Sequence, residues 1–99
     1  MPNPAAMLDA AGLERRLQER LGHQQVKVRP QGRHLLIQMD LGEEVETVAR
    51  LTLIRGRIYG AAFRSHTGRW DPLPDEGSRD EMIEAIVSQL GPYLTPENY

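Results

Sequence analysis

Four times between Val26 and Arg64 the chain alternates apolar and polar residues with a period of two, and glycine-bearing turns separate the runs. A pleated strand sends successive side chains to opposite faces, so this alternation predicts strands buried on one side only. Val26 and Val28 alternate with Lys27 and Arg29, and Leu35, Ile37 and Met39 with His34, Leu36 and Gln38. Val45, Thr47, Ala49, Leu51 and Leu53 alternate with Glu46, Val48, Arg50 and Thr52; Tyr59, Ala61 and Phe63 alternate with Gly60, Ala62 and Arg64. The connections Pro30-Gln31-Gly32, Leu41-Gly42 and Arg55-Gly56 are too short for a crossover, which makes consecutive strands antiparallel neighbours.

The loop between the third and fourth runs decides which residues share a face. A two-residue Arg55-Gly56 turn pairs Leu53 with Ile58 and sends Tyr59 and Phe63 away from Leu51 and Leu53. A three-residue loop, Ile54-Arg55-Gly56, pairs Leu51 with Tyr59 and Ala49 with Ala61, and puts every large apolar group on one side. The bulged loop is therefore expected, with Gly56 at positive φ. Arg69-Trp70-Asp71 reads as a short edge strand ended by Pro72 and Pro74.

Helical spacing appears at both ends of the chain. Ala10, Leu13, Leu17 and Leu21 recur at three and four, with Asp9 as the expected N-cap, a Leu8–Leu13 staple and Gly22 as the stop. Ser78 and Glu81 form a capping box ahead of Met82, Ile83, Ile86, Val87 and Leu90, and Gly91-Pro92 ends that helix. Tyr93 and Leu94 are expected to fold back onto the core, while residues 1–7 and 95–99 are expected to be loose. The fold class that results is α+β: an antiparallel sheet of four to five strands with both helices on one face, in the order α-β-β-β-β-(β)-α. With 99 residues, one domain spanning the whole chain is expected.

Composition narrows function by exclusion. Hydrophobic residues at 39% and charged residues at 26% describe a globular chain rather than a disordered one. Without cysteine there is no disulfide, thiolate nucleophile or cysteine metal site. No apolar run is long enough for a membrane span, and Met1-Pro2-Asn3-Pro4 lacks the features of a signal peptide, so a cytoplasmic protein is expected. The net charge of −2 is unevenly placed: five arginines and no acid lie between Arg50 and Trp70, and seven acids with one base follow. Such runs usually mark solvated faces that offset one another.

No motif carries a recognisable chemistry. His23, His34 and His66 have no paired spacing, so no metal is expected. Ser65 and His66 are adjacent on a strand, hence on opposite faces, and cannot form a dyad. No glycine-rich phosphate loop is present, and Glu43-Glu44 and Asp75-Glu76 read as surface acids. Neither catalysis nor a cofactor is therefore expected; a small enzyme whose site the sequence does not reveal is the second alternative, after nucleic-acid binding.

Two binding readings remain. Arg64, His66, Arg69 and Trp70 lie close together around one turn, with Arg50 expected beside Arg64, a combination that can contact phosphates and stack bases. The overall negative charge, and the lack of a second aromatic beside Trp70, weigh against nucleic acid. The stronger expectation concerns the face turned away from the helices. There Leu36, Val48, Ile58 and Ala62 should come together as an apolar patch, beside a Gly60 small enough to admit a partner's side chain. A partner protein, or a second copy of this chain, is the expected occupant.

Overall fold

Residues 4–98 are described by a computed structural model. Helix α1 (Pro4–Leu21) is followed by strands β1 (Val26–Gln31), β2 (His34–Asp40), β3 (Val45–Arg55), β4 (Ile58–Arg64) and β5 (Trp70–Gly77), then by helix α2 (Arg79–Leu90) and two 3₁₀ turns, Gly91–Leu94 and Pro96–Asn98. The five strands form one sheet in sequential order, every neighbour antiparallel. The α+β layout is the one the alternation predicts, with the edge strand present. Leu8's part in the expected staple lies outside the described side chains, as residues 1–3 and Tyr99 lie outside the described structure.

Both helices pack on the same face. Leu13 and Leu17 of α1, Ile83 and Ile86 of α2, and Ile37 and Leu51 of the sheet belong to one buried cluster. Each such side chain, fully removed from water, contributes about 1.5–3 kcal/mol. Where α1 and α2 run side by side, Arg20 reaches Glu84 through two hydrogen bonds of 2.9 and 2.6 Å, and Arg16 and Arg79 lie 3.9 and 3.8 Å from Asp80 and Asp9. Gly12 leaves room for the Arg79 side chain: a Cβ there would sit 2.7 Å from its guanidinium.

Helix ends follow local chemistry in two of four cases. The Ser78–Glu81 capping box is formed, and Gly22, at φ 76°, closes α1. Gly91 instead stays helical, at φ −48°, and the chain tightens into the 3₁₀ turn that buries Leu94 and leaves Tyr93 exposed. The start of α1 corrects the sequence reading. It begins at Pro4, so Asp9 lies inside the helix, where its carboxylate accepts a 2.8 Å hydrogen bond from the Tyr59 hydroxyl. Burial and this bond to Asp9 push the Tyr59 hydroxyl up to about 12.

Two registers differ in detail from expectation. The β3–β4 turn is Gly56-Arg57, with Gly56 at φ 51°, and the extra residue is Ile54, so that Leu53, not Leu51, faces Tyr59. Gly32 at φ 60° opens the matching two-residue turn before β2. Positive φ at the first central residue alone is the sign pattern that suits the right-handed twist of a hairpin. Leu51, Tyr59 and Phe63 still share the helix side, because the bulge keeps the parity that a plain two-residue turn would have reversed.

The second difference carries more weight. Ile37 pairs with Ala49 but Gln38 pairs with Thr47, so Val48 is an extra residue in β3. The bulge turns Val48 into the core cluster beside Ala49, and Thr47 moves to the other face, where it accepts a 3.1 Å hydrogen bond from Gln38. Val48 therefore leaves the patch in which the alternation had placed it.

Candidate interaction face

The sheet presents two edges and one uncovered face. At the β1 edge, Glu14 accepts from the Val28 N–H at 2.8 Å, Gln18 donates to the Val26 carbonyl at 3.1 Å, and Pro30 has no N–H to offer. Strand β5 runs on through Pro72 and Pro74 rather than ending at them, and its residues 73–75 bulge opposite Ala61 alone. Prolines, a bulge and a covering helix are the usual means of blocking strand addition. Neither edge is a free template, which leaves the face.

On that face the register builds cross-strand rows. One reads Arg29, Leu36, Arg50, Ala62, Pro72 from β1 to β5; the next reads Gln31, His34, Thr52, Gly60, Glu76. Arg50 thus separates Leu36 from Ala62, and Ile58 sits at the hairpin end opposite Arg55. The four apolar residues expected to meet do not form one continuous patch. Gly60 is also occupied from within the chain: the Ile54 Cδ1 atom lies 3.0 Å from where a Cβ would be.

Between β3 and the β5 edge the face is instead cationic and aromatic. Trp70 pairs across the strands with Arg64, and the guanidinium carbons of Arg50 and Arg64 lie 4.4 and 5.6 Å from the centroid of its ring. Trp70 does not close the core; it is part of the open face. Beneath this group Ala62 is buried, and the Nε of Arg50 is buried without a hydrogen-bond partner. Of the residues grouped by sequence, Arg50, Arg64 and Trp70 are brought together, while His66 and Arg69 lie exposed in the β4–β5 turn.

Charge on this face is mostly positive. Lys27, Arg29, Arg50 and Arg64 occupy it, against Asp40 and Glu76 near its ends. His34, bonded to Thr52 at 2.8 Å, is held below the usual histidine range by burial first and then by Arg50 and Arg33. Among the described residues none of those four bases has an acid within 4.0 Å, whereas on the helix side Arg16, Arg20 and Arg79 are all paired.

A groove of about 960 Å³ opens at the end of the sheet on the helix side, floored by Val48, Phe63 and Leu90 with Val45 and Tyr93 exposed at its rim. His66 and Ser65 line it, but the Ser65 hydroxyl is bonded to that of Thr67 at 2.8 Å and accepts from the Arg69 N–H. Among the described residues no group of three His, Asp or Glu could hold a metal ion, and no helix is long and apolar enough to cross a membrane. No family model, curated protein or solved structure matches the chain.

Proposed function

We propose that this chain is a non-catalytic module that docks another protein on the uncovered face of its sheet. The observation that carries the proposal is the Arg50–Trp70–Arg64 group, which reaches from the central strand β3 to the edge strand β5 on a face that neither helix covers. Arginine and tryptophan are the residue types most enriched where protein interfaces concentrate their binding energy. Leu36 adds apolar area beside Arg50, Ile54 and Ile58 add more at the β3–β4 hairpin end, and the blocked edges leave the face as the broad surface available for contact.

A photo-crosslinking residue at Leu36 or Ile58, compared with one at the exposed Arg15 of α1, tests this reading. Crosslinks to a protein from the sheet positions and not from Arg15 are expected. Equal capture from both sides, or capture from Arg15 alone, overturns it.

Nucleic acid is a second reading, favoured by the same group of arginines around an aromatic ring. It predicts crosslinks from Leu36 that nuclease treatment removes. Two features weigh against it: the ring already carries two guanidiniums, and the chain as a whole is negative.

A further inference from the structure

We infer that the occupant of the open face is an acidic protein segment, one that carries carboxylates among apolar residues. This rests on the docking reading and specifies the partner's chemistry. Fourteen Asp and Glu residues outnumber twelve Lys and Arg in the chain. Yet the open face holds Lys27, Arg29, Arg50 and Arg64 with no acid within 4.0 Å among the described residues, while Asp80 and Glu84 of α2 engage arginines of α1. Asp80 and Glu84 are thus engaged between the helices, and among the described residues the four bases of the open face have no acid partner.

Arg50 is the sharpest case. Its guanidinium lies over the Trp70 ring, and its Nε is buried without an acceptor. The Nε is turned inward, which leaves the terminal amino groups of the fork as the donors open to a partner. A guanidinium stacked on an aromatic ring keeps its N–H fork in plane, the geometry that grips a carboxylate with two bonds. Arg29 stands two strands away in the same row, about 9.5 Å at ordinary strand spacing, so one extended segment can reach both. Leu36 lies between them and meets the segment's apolar residues.

Other occupants fit less well. A second copy docked face to face brings the same four bases against each other, which charge opposes. Single-stranded nucleic acid needs aromatic faces on which to stack bases, and the sole tryptophan already lies under two guanidiniums.

The test uses the full chain and three probes: a short peptide of glutamates interspersed with leucine, the same peptide with glutamine for glutamate, and an oligothymidylate of matching length. Amide and arginine side-chain NMR shifts map the site, and the ring signals of His34 report charge. The glutamate peptide should shift Leu36, Arg50, Arg64 and Trp70, and its carboxylates should raise the His34 pKa. Added salt should weaken the binding. Arg50→Gln and Arg64→Gln should each weaken it about tenfold or more, as loss of a charge-assisted contact does. The amide spectrum of each variant verifies its fold, and Arg64→Gln, at an exposed position, serves if Arg50→Gln disturbs the sheet.

Equal binding of the glutamine peptide, or no binding of any probe, overturns the acidic assignment. Tighter binding of the oligothymidylate overturns it in favour of nucleic acid, and shifts confined to the helix side overturn it as well. If the acidic assignment fails while crosslinks from Leu36 still capture a protein, docking on this face stands and only the partner's chemistry is wrong. If those crosslinks also fail, both proposals fall.

Discussion

The two faces of the sheet are made from the same strands and solve opposite problems. On the helix side, Leu35, Ile37, Leu51 and Tyr59 are buried beneath α1 and α2, and the arginines that border them are paired. On the open side, Leu36, Arg50, Thr52 and Arg64 alternate with those same residues, and Arg50 and Arg64 lie over an aromatic ring with no acid within 4.0 Å among the described residues. One face spends its side chains on stability. The other holds an unpartnered Arg50 Nε and adjacent positive charges that stability alone does not require. Groups left unsatisfied in this way are where a fold departs from self-consistency, and function is the usual reason.

The contrast has measurable consequences, the largest on the covered face. Leu17→Ala and Ile86→Ala should each cost about 2–4 kcal/mol in denaturant melts, because both side chains are fully buried. Leu36→Ala, on the open face, should cost less than about 1 kcal/mol. Similar losses at all three positions would erase the distinction between the faces.

Val48 tests the bulge directly. Val48→Ala should cost about 2 kcal/mol if the side chain is in the core, as the cluster around Ala49 places it. A loss within the surface range of about 0.5 kcal/mol would return Val48 to the open face.

Tyr59→Phe should cost about 1 kcal/mol through loss of the bond to Asp9. The same bond predicts a pH effect. The Tyr59 hydroxyl is pushed up to about 12 in the folded chain, against 10.0 ordinarily. The unfolded chain therefore gives up this proton first, and stability falls as the pH rises from 10 toward 12. Melts of Tyr59→Phe across that range should lack this component.

On the open face the expected changes in stability are smaller. Arg50→Gln should cost about 0.5–1 kcal/mol, the worth of an exposed cation–π contact, and any relief of the unpartnered Nε would reduce even that. His34 gives the smallest effect. Its depressed pKa means that the unfolded chain takes up the proton first, so acidification below about 6.5 destabilises the fold slightly. His34→Gln should remove that slope.

Most of the architecture was legible in the residues. Period-two runs with short glycine turns mark the strands and their order, and Ser78 with Glu81 marks the start of α2. These signals are local: they depend on side-chain direction, turn conformation and capping within a few residues. The beginning of α1 was not legible, because Asp9 is a good cap by composition and its partners inside the helix, Tyr59 and Arg79, are fifty or more residues away. The run through Pro72 and Pro74 was missed for a related reason. Proline ends a central strand, but β5 lies at the edge, where a missing N–H costs little.

The candidate site divides along the same line. The sequence by itself determined that one face would be apolar and the other would carry Leu36, Arg50, Ala62 and Arg64, since alternation fixes faces strand by strand. It did not determine how those residues meet. The bulges at Val48 and Ile54 and the extension of β5 set which side chains lie across from one another. A single inserted residue reverses a strand's parity without changing its composition, so only the tertiary structure could remove Val48 from the face and place Trp70 with Arg50 and Arg64.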